Sequence, residues 1–160
     1  MLKAILLSLG LALAASSVLA DEPIWLFGES DPVMNQAIEG ARAHLSFFLD
    51  YATPDRLLSG NVMVKYAAPV VGKTIQVEHI WVAVEQIDGD QITGIIANEP
   101  YDLDAKQGDR IDFEMSQVSD WSYWGTDGKL YGNYTTRVML PQLSAEDQVY
   151  FQGVLAPLPD

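Results

Sequence analysis

The chain has 160 residues, no cysteine and a formal net charge of −13. That length suits one domain with its own core. The missing cysteines exclude disulfides and thiol chemistry, and the acidity argues against nucleic-acid or anionic-lipid partners and for a solvated surface.

Residues 1–20 read as a secretory signal peptide. Lys3 gives the positive start, Ala4 to Ala15 is apolar apart from Ser8 and Gly10, and Val18-Leu19-Ala20 is a small-x-small cleavage pattern before Asp21. The stretch is too short for a membrane span. Cleavage after Ala20 predicts a periplasmic or secreted protein that is free of the membrane thereafter. Loss of Lys3 leaves eight basic against 22 acidic residues, a net charge of −14. Residues 21–30 form an extended lead-in whose Ile24, Trp25, Leu26 and Phe27 are apolar enough to pack on the domain, and residues 31–160 form that single domain.

Asp31-Pro32 has the form of an N-cap followed by proline at the first helical position. Met34, Ile38, Ala41, Leu45, Phe48 and Leu49 recur at helical spacing, predicting one amphipathic helix that ends before Pro54. His44 lies beside that stripe as a boundary residue. Val62, Val64 and Tyr66 alternate as a strand. From Thr74 to Pro100, two β-branched runs meet at Asp88-Gly89-Asp90, a strong hairpin signal. Ile75, Val77, Trp81, Ala83 and Ile87 share one side, and Ile80, Val82 and Val84 the other, which predicts a hairpin covered on both faces. Residues 98–108 read as a polar loop, and Ile111 and Phe113 belong to the next strand. Gln117 to Trp121 reads as a turn between strands, and residues 122–125 and 130–139 as strands flanking a second hairpin at Asp127-Gly128. Gly94 and Gly132 mark bends or bulges. Ser144-Ala145-Glu146-Asp147 opens a short terminal helix with Val149, Phe151 and Val154 available to dock. The sum is an α+β domain: an N-terminal amphipathic helix on a strongly bent antiparallel sheet or small open barrel of five to seven strands, with a short C-terminal helix.

Six motifs carry a resemblance. They are Asp31-Pro32-x-Met34-Asn35-x-Ala37-Ile38-x-x-Ala41, Glu78-His79-Ile80-Trp81-Val82, Gly94-Ile95-Ile96-Ala97-Asn98-Glu99-Pro100, Gly108-Asp109-x-Ile111-x-Phe113, Val118-Ser119-Asp120-Trp121 and Gly132-x-Tyr134-Thr135-x-Arg137. In this order, over roughly residues 31 to 140, the chain resembles the bacterial domain-of-unknown-function family 2314 and, given the leader, its exported YegJ-like members. The resemblance implies a shared compact α+β fold and no activity. Ser122-Tyr123-Trp124 departs from the Met-Tyr common after the Asp-Trp pair, which bears on local packing.

Glu78 and His79 are adjacent on a strand and point to opposite faces, so they cannot form one acid/base pair. Glu78 sits among apolar neighbours and needs a partner, for which Arg137, read on the last strand, is the candidate. Glu78, His79, Glu99 and Asp120 are the catalytic candidates: converging beside Trp121, they would make a hydrolase that uses carboxylates and His79. Two histidines 35 positions apart fall short of a zinc set, and Asp102, Asp104 and Asp109 lack the spacing of a calcium loop, so neither metal nor cofactor is expected. No Gly-x-Ser-x-Gly, phosphate loop or dinucleotide fingerprint occurs. Trp121, Tyr123 and Trp124, with Asn98 and Arg137, are the binding candidates, joined by Tyr131 and Tyr134 in one aromatic cluster. The leading expectation is a monomeric exported binding or interaction module for a periplasmic protein, a peptide or a sugar, without assignable activity. The hydrolase is the alternative.

Overall fold

The computed structural model describes residues 31–71 and 75–159, so the expected leader over 1–20 and lead-in over 21–30 lie outside the described residues. Asp31 caps the first helix, α1 (Pro32–Ala43), its carboxylate accepting the N–H groups of Val33 and Met34 at 2.9 and 3.0 Å. The single helix expected from the apolar stripe breaks at His44, whose φ/ψ of −107°/18° is not helical and whose Nδ1 lies 2.9 Å from the Gly40 carbonyl. The stripe resumes in α2 (Leu45–Tyr51), and one turn, α3 (Pro54–Leu57), follows.

Six strands form one antiparallel sheet: β1 (Val62–Pro69), β2 (Val77–Asp88), β3 (Gln91–Ile96), β4 (Arg110–Glu114), β5 (Val118–Trp124) and β6 (Leu130–Gly132), in the order β4-β3-β2-β1-β5-β6. The Asp-Gly hairpin is β2–β3, and β2 and β1 occupy the middle. Gly94 marks an irregularity as expected: the register slips opposite it between Val84 and Gln86, and a Cβ there would lie 2.4 Å from the Ala83 carbonyl oxygen. One sheet face presents Val64, Ile80, Val82, Val84, Ile92, Ile96 and Trp121 to Ala41, Phe48 and Leu57 of the helices, which forms the core. Each such large side chain contributes roughly 1.5–3 kcal/mol through burial.

Three expectations are corrected. The β2–β3 hairpin is covered on one face only: α1 to α3 pack to that side, leaving Met63, Ala67, Trp81, Ala83 and Ile95 partly open, His79 exposed and Val77 39% exposed. Val118 to Trp121 is not a turn but the buried first half of β5, preceded by a 3₁₀ turn (Met115–Gln117). The strand expected over 130–139 stops at Gly132. Gly132 and Asn133 take φ of 75° and 56°, and the chain enters a helix, α4 (Tyr134–Met139). A Cβ at Gly132 would lie 2.1 Å from the Trp121 carbonyl oxygen, so only glycine lets the chain pass β5 this closely.

The last helix, α5 (Ala145–Val154), starts on Ser144 as expected, with the Asp147 N–H donating to Ser144 Oγ at 3.1 Å. Val149 points outward, while Phe151 and Val154 are half-buried. Beyond α5 the chain returns to the sheet, where the Ala156 N–H donates to the Leu130 carbonyl at 2.9 Å. Among the described residues no helix is long and apolar enough to cross a membrane.

Candidate functional site

A connected polar network sits on the open face, where β1 slips register against β5 between Lys65 and Tyr66. Bulges of this kind re-aim side chains. Here they bring together Lys65 of β1, His79 of β2, Ser119 and Asp120 of β5, and Thr135 of α4. Ser119 is fully buried, and its hydroxyl donates to the Lys65 carbonyl at 3.1 Å. His79 Nδ1 lies 2.8 Å from the same hydroxyl. With that proton committed to Lys65, Nδ1 must be the donor, so the network assigns the Nδ1–H tautomer and leaves Nε2 as a bare acceptor. No described residue bonds to Nε2.

The ring is open to solvent along one side. Elsewhere the sheet desolvates it, and that desolvation first, then the charges of Lys65 and Arg42, push its pKa down from 6.5 to about 4. His79 is therefore neutral at pH 7 and a weak base.

Lys65 is only 8% exposed. Its ammonium donates to Thr135 Oγ1 at 2.9 Å and sits 4.6 Å from the centroid of the Trp81 ring, a cation–π distance. The Thr135 hydroxyl in turn donates a hydrogen bond to Asp120 Oδ2 at 2.6 Å. Asp120, fully buried, also accepts the N–H groups of Trp121, Tyr134 and Thr135 at 2.8, 3.1 and 2.8 Å. Burial pushes its carboxyl up from the ordinary value, while Lys65 and the Thr135 and Trp121 donors pull it back down. Two donors on each oxygen leave no room for a proton, so the geometry holds the carboxylate ionised. Its work is structural: it starts α4 and compensates Lys65.

Glu78 and Arg137 make their bonds away from this network. Glu78 faces the other side of the sheet and accepts the consecutive N–H groups of Tyr101, Asp102 and Leu103 at 2.5, 2.9 and 2.8 Å. It therefore pins the 98–108 loop, and the expected pairing with Arg137 is corrected. Arg137 lies on α4 and donates to the carbonyls of Gly132 and Ala156 at 3.2 and 2.6 Å. Once β6 gave way to a helix, that side chain left the strand register on which the pairing depended. Glu99 is exposed and accepts the Gln107 N–H at 3.2 Å. Asn98 Oδ1 accepts the Trp81 N–H at 2.8 Å, which ties the loop to β2.

The aromatic cluster fills the interior rather than a groove. Trp121 is 1% exposed, and its indole N–H donates to the Ala41 carbonyl at 2.8 Å. Buried Tyr123 stacks between Tyr51 and Tyr131, with ring centroids 3.7 and 5.0 Å away. Trp124 is half-buried, and its carbonyl accepts the Tyr51 hydroxyl at 2.6 Å. Lys65, Ser119 and Thr135 were missed from the sequence. The available signal was Lys65, a lone cation inside the apolar strand Val62-Met63-Val64-Lys65-Tyr66. Among the described residues no three His, Asp or Glu side chains group to hold a metal ion.

Residues 31–155 match the model of a family described as "Uncharacterized protein conserved in bacteria (DUF2314)". A protein of Neisseria meningitidis serogroup B, named "Putative ankyrin repeat protein", is 28% identical over 137 residues, covering 82% of this chain and 54% of that protein. The chain thus spans about half the length of that curated relative. No solved structure matches.

Proposed function

The chain belongs to the DUF2314 family, and we propose that it is a binding module, monomeric when free, that works outside the cytoplasm and presents its open sheet face to a protein partner. The observation that carries this reading is His79. Its tautomer is fixed by Ser119, its ring is neutral at pH 7, and it shares the open face with its register partner Ala67, its strand neighbours Val77 and Trp81 and, further along, Met63, Ala83 and Ile95. Such a surface offers contiguous apolar area plus one oriented acceptor, and exposed apolar patches of this kind mark interaction sites. The matching partner is a protein segment with an apolar side and one N–H or O–H donor for Nε2. A sheet face suits a protein better than a sugar, which favours an enclosing pocket.

The location rests on the leader predicted over residues 1–20. A relative named for ankyrin repeats is in keeping with an interaction role, since solenoid repeats build extended binding surfaces. The hydrolase alternative loses Asp120 and Glu78, which are consumed as acceptors of internal N–H groups, and keeps only exposed Glu99 as a candidate carboxylate.

The test places a photo-crosslinking residue at Val77, on the open face, and at Leu58, beyond α3 on the helical side, in the living cell. An intermolecular adduct of defined mass from position 77, absent from 58 and lost with Trp81→Glu, is expected. Adducts equal at both positions, or adducts only within the chain, would overturn the proposal.

A further inference from the structure

On the helical side of the molecule, the junction of α1 and α2 meets the β2–β3 turn and the 3₁₀ turn around a cleft of about 380 Å³. Arg42, Leu45, Asp90, Glu114, Met115 and Ser116 line it. That volume falls at the lower end of the range for small-ligand sites, roughly 300–1,000 Å³. Opposite charges face this space without neutralising one another. The one ion pair within 4.0 Å among the described residues is Arg110–Glu85, so Arg42 bridges neither Asp90 nor Glu114.

Arg42 is nevertheless held in place. Its Nε donates to the carbonyl of buried Val118 at 2.9 Å, which leaves both terminal nitrogens of the guanidinium without a described partner. An arginine anchored in this way has lost much of its side-chain freedom before a carboxylate arrives. Glu114 is also pre-organised. Its side chain accepts the Gln117 N–H in a capping box and the Ser116 hydroxyl at 3.2 Å. Met115, between them, is fixed by its N–H donating to the Asp90 carbonyl at 2.7 Å.

We propose that this cleft binds a free α-amino acid with an apolar side chain: the ligand carboxylate on Arg42, its ammonium on Glu114 and Asp90, and its side chain against Leu45 and Met115. A zwitterion is the ligand chemistry that satisfies both signs at once. A simple anion would meet Arg42 but also two carboxylates and a strongly acidic molecule, and a simple cation would leave Arg42 unanswered. The inference does not rest on the reading of the open sheet face: the two sites share no lining residue, and Arg42 reaches His79 only through its charge.

The experiment titrates the ¹⁵N-labelled protein with L-methionine, N-acetyl-L-methionine and L-methioninamide, up to about 10 mM, tenfold above a Kd of about 1 mM. Saturable shifts at Arg42, Leu45 and Met115 with L-methionine, weakened at least tenfold with either capped analogue, are expected. Asp90→Asn, an exposed turn substitution that spares the fold, should weaken methionine at least threefold, and Arg42→Gln at least tenfold. No saturable shift with L-methionine, or equal affinity for the capped analogues, would overturn the proposal.

Discussion

Replacing Asp120 by asparagine tests the network where it is most tightly built. The native carboxylate is fully buried and receives four donors at 2.6–3.1 Å, three of them backbone N–H groups. Asparagine keeps one acceptor oxygen and puts an NH₂ group against two of those donors. It also strips Lys65, at 8% exposure, of its nearby negative charge. Hydrogen bonds to a charged group contribute about 1.5–3 kcal/mol each, but they share one desolvation, so their sum overstates the loss. Removing one partner of a directly paired buried charge costs about 3–5 kcal/mol, an upper bound for Asp120→Asn because Thr135 Oγ1 stands between the carboxylate and Lys65. Lys65→Met fills the same space without the charge. If the two act through Thr135 Oγ1, the double variant should be more stable than the summed losses predict by at least about 1 kcal/mol. Urea unfolding at pH 7 with linear extrapolation measures all four corners of the cycle. A cost below about 1 kcal/mol for Asp120→Asn, or additivity within about 0.5 kcal/mol, would refute the network as described.

Four further outcomes are expected. The folded pKa of His79, about 4, lies below its unfolded 6.5, so between those values the unfolded chain binds more protons and stability falls as the pH drops. Screening at the open side of the ring reduces that loss to about 1 kcal/mol, and His79→Asn should remove it when unfolding at pH 7 and pH 4.5 is compared. Glu78→Ala should cost about 2–4 kcal/mol and speed amide exchange at Tyr101, Asp102 and Leu103, the donors it holds, whereas unchanged exchange there would contradict its role as loop anchor. Gly132→Ala combines a φ of 75° with a Cβ 2.1 Å from the Trp121 carbonyl oxygen and should cost about 3 kcal/mol in thermal unfolding. Tyr134→Phe removes a buried hydroxyl that has no partner among the described residues, so the melting temperature should hold or rise; a loss above about 1 kcal/mol would reveal a partner for that oxygen.

Local rules made much of the fold legible. Asp31-Pro32 fixed the start of α1, Asp88-Gly89 the β2–β3 turn, and Ser144 the start of α5. Alternation also sorted the two faces of β2 as far as Val84, with Glu78, Ile80, Val82 and Val84 inward and Val77, His79 and Trp81 outward, but Ile87, expected on the Trp81 side, packs on the core opposite Ile92 because the register slips between Val84 and Gln86. The errors lay where a distant group decides. Tyr134 to Met139 carries threonines and a valine that favour a strand, yet it is helical because Asp120, fourteen residues earlier, captures the Tyr134 N–H just as Gly132 and Asn133 turn the chain. No window of local sequence contains both partners.

The site failed to appear in the sequence for the same reason, and this bears on how the open face came to be recognisable at all. Lys65, Ser119 and Thr135 are unremarkable one by one, and Ser119 matters only because a register slip between β1 and β5 turns its hydroxyl toward the Lys65 carbonyl and His79. Burying a lysine on a sheet is costly unless it is compensated, and here the compensation spans three elements: Asp120 through Thr135, and the Trp81 ring. Such a construction stabilises the domain less than an apolar residue of equal volume would in many folds. What it does specify is the geometry beside it, because the Lys65 carbonyl sets the Ser119 hydroxyl, the hydroxyl sets the His79 tautomer, and the tautomer turns one acceptor outward. Ser119→Ala should therefore leave most of the stability intact while freeing the His79 ring. The two imidazole nitrogens, distinct in the ¹⁵N spectrum of the native protein at pH 7, should move toward averaged shifts, and unchanged nitrogen shifts would show that something other than Ser119 orients the ring.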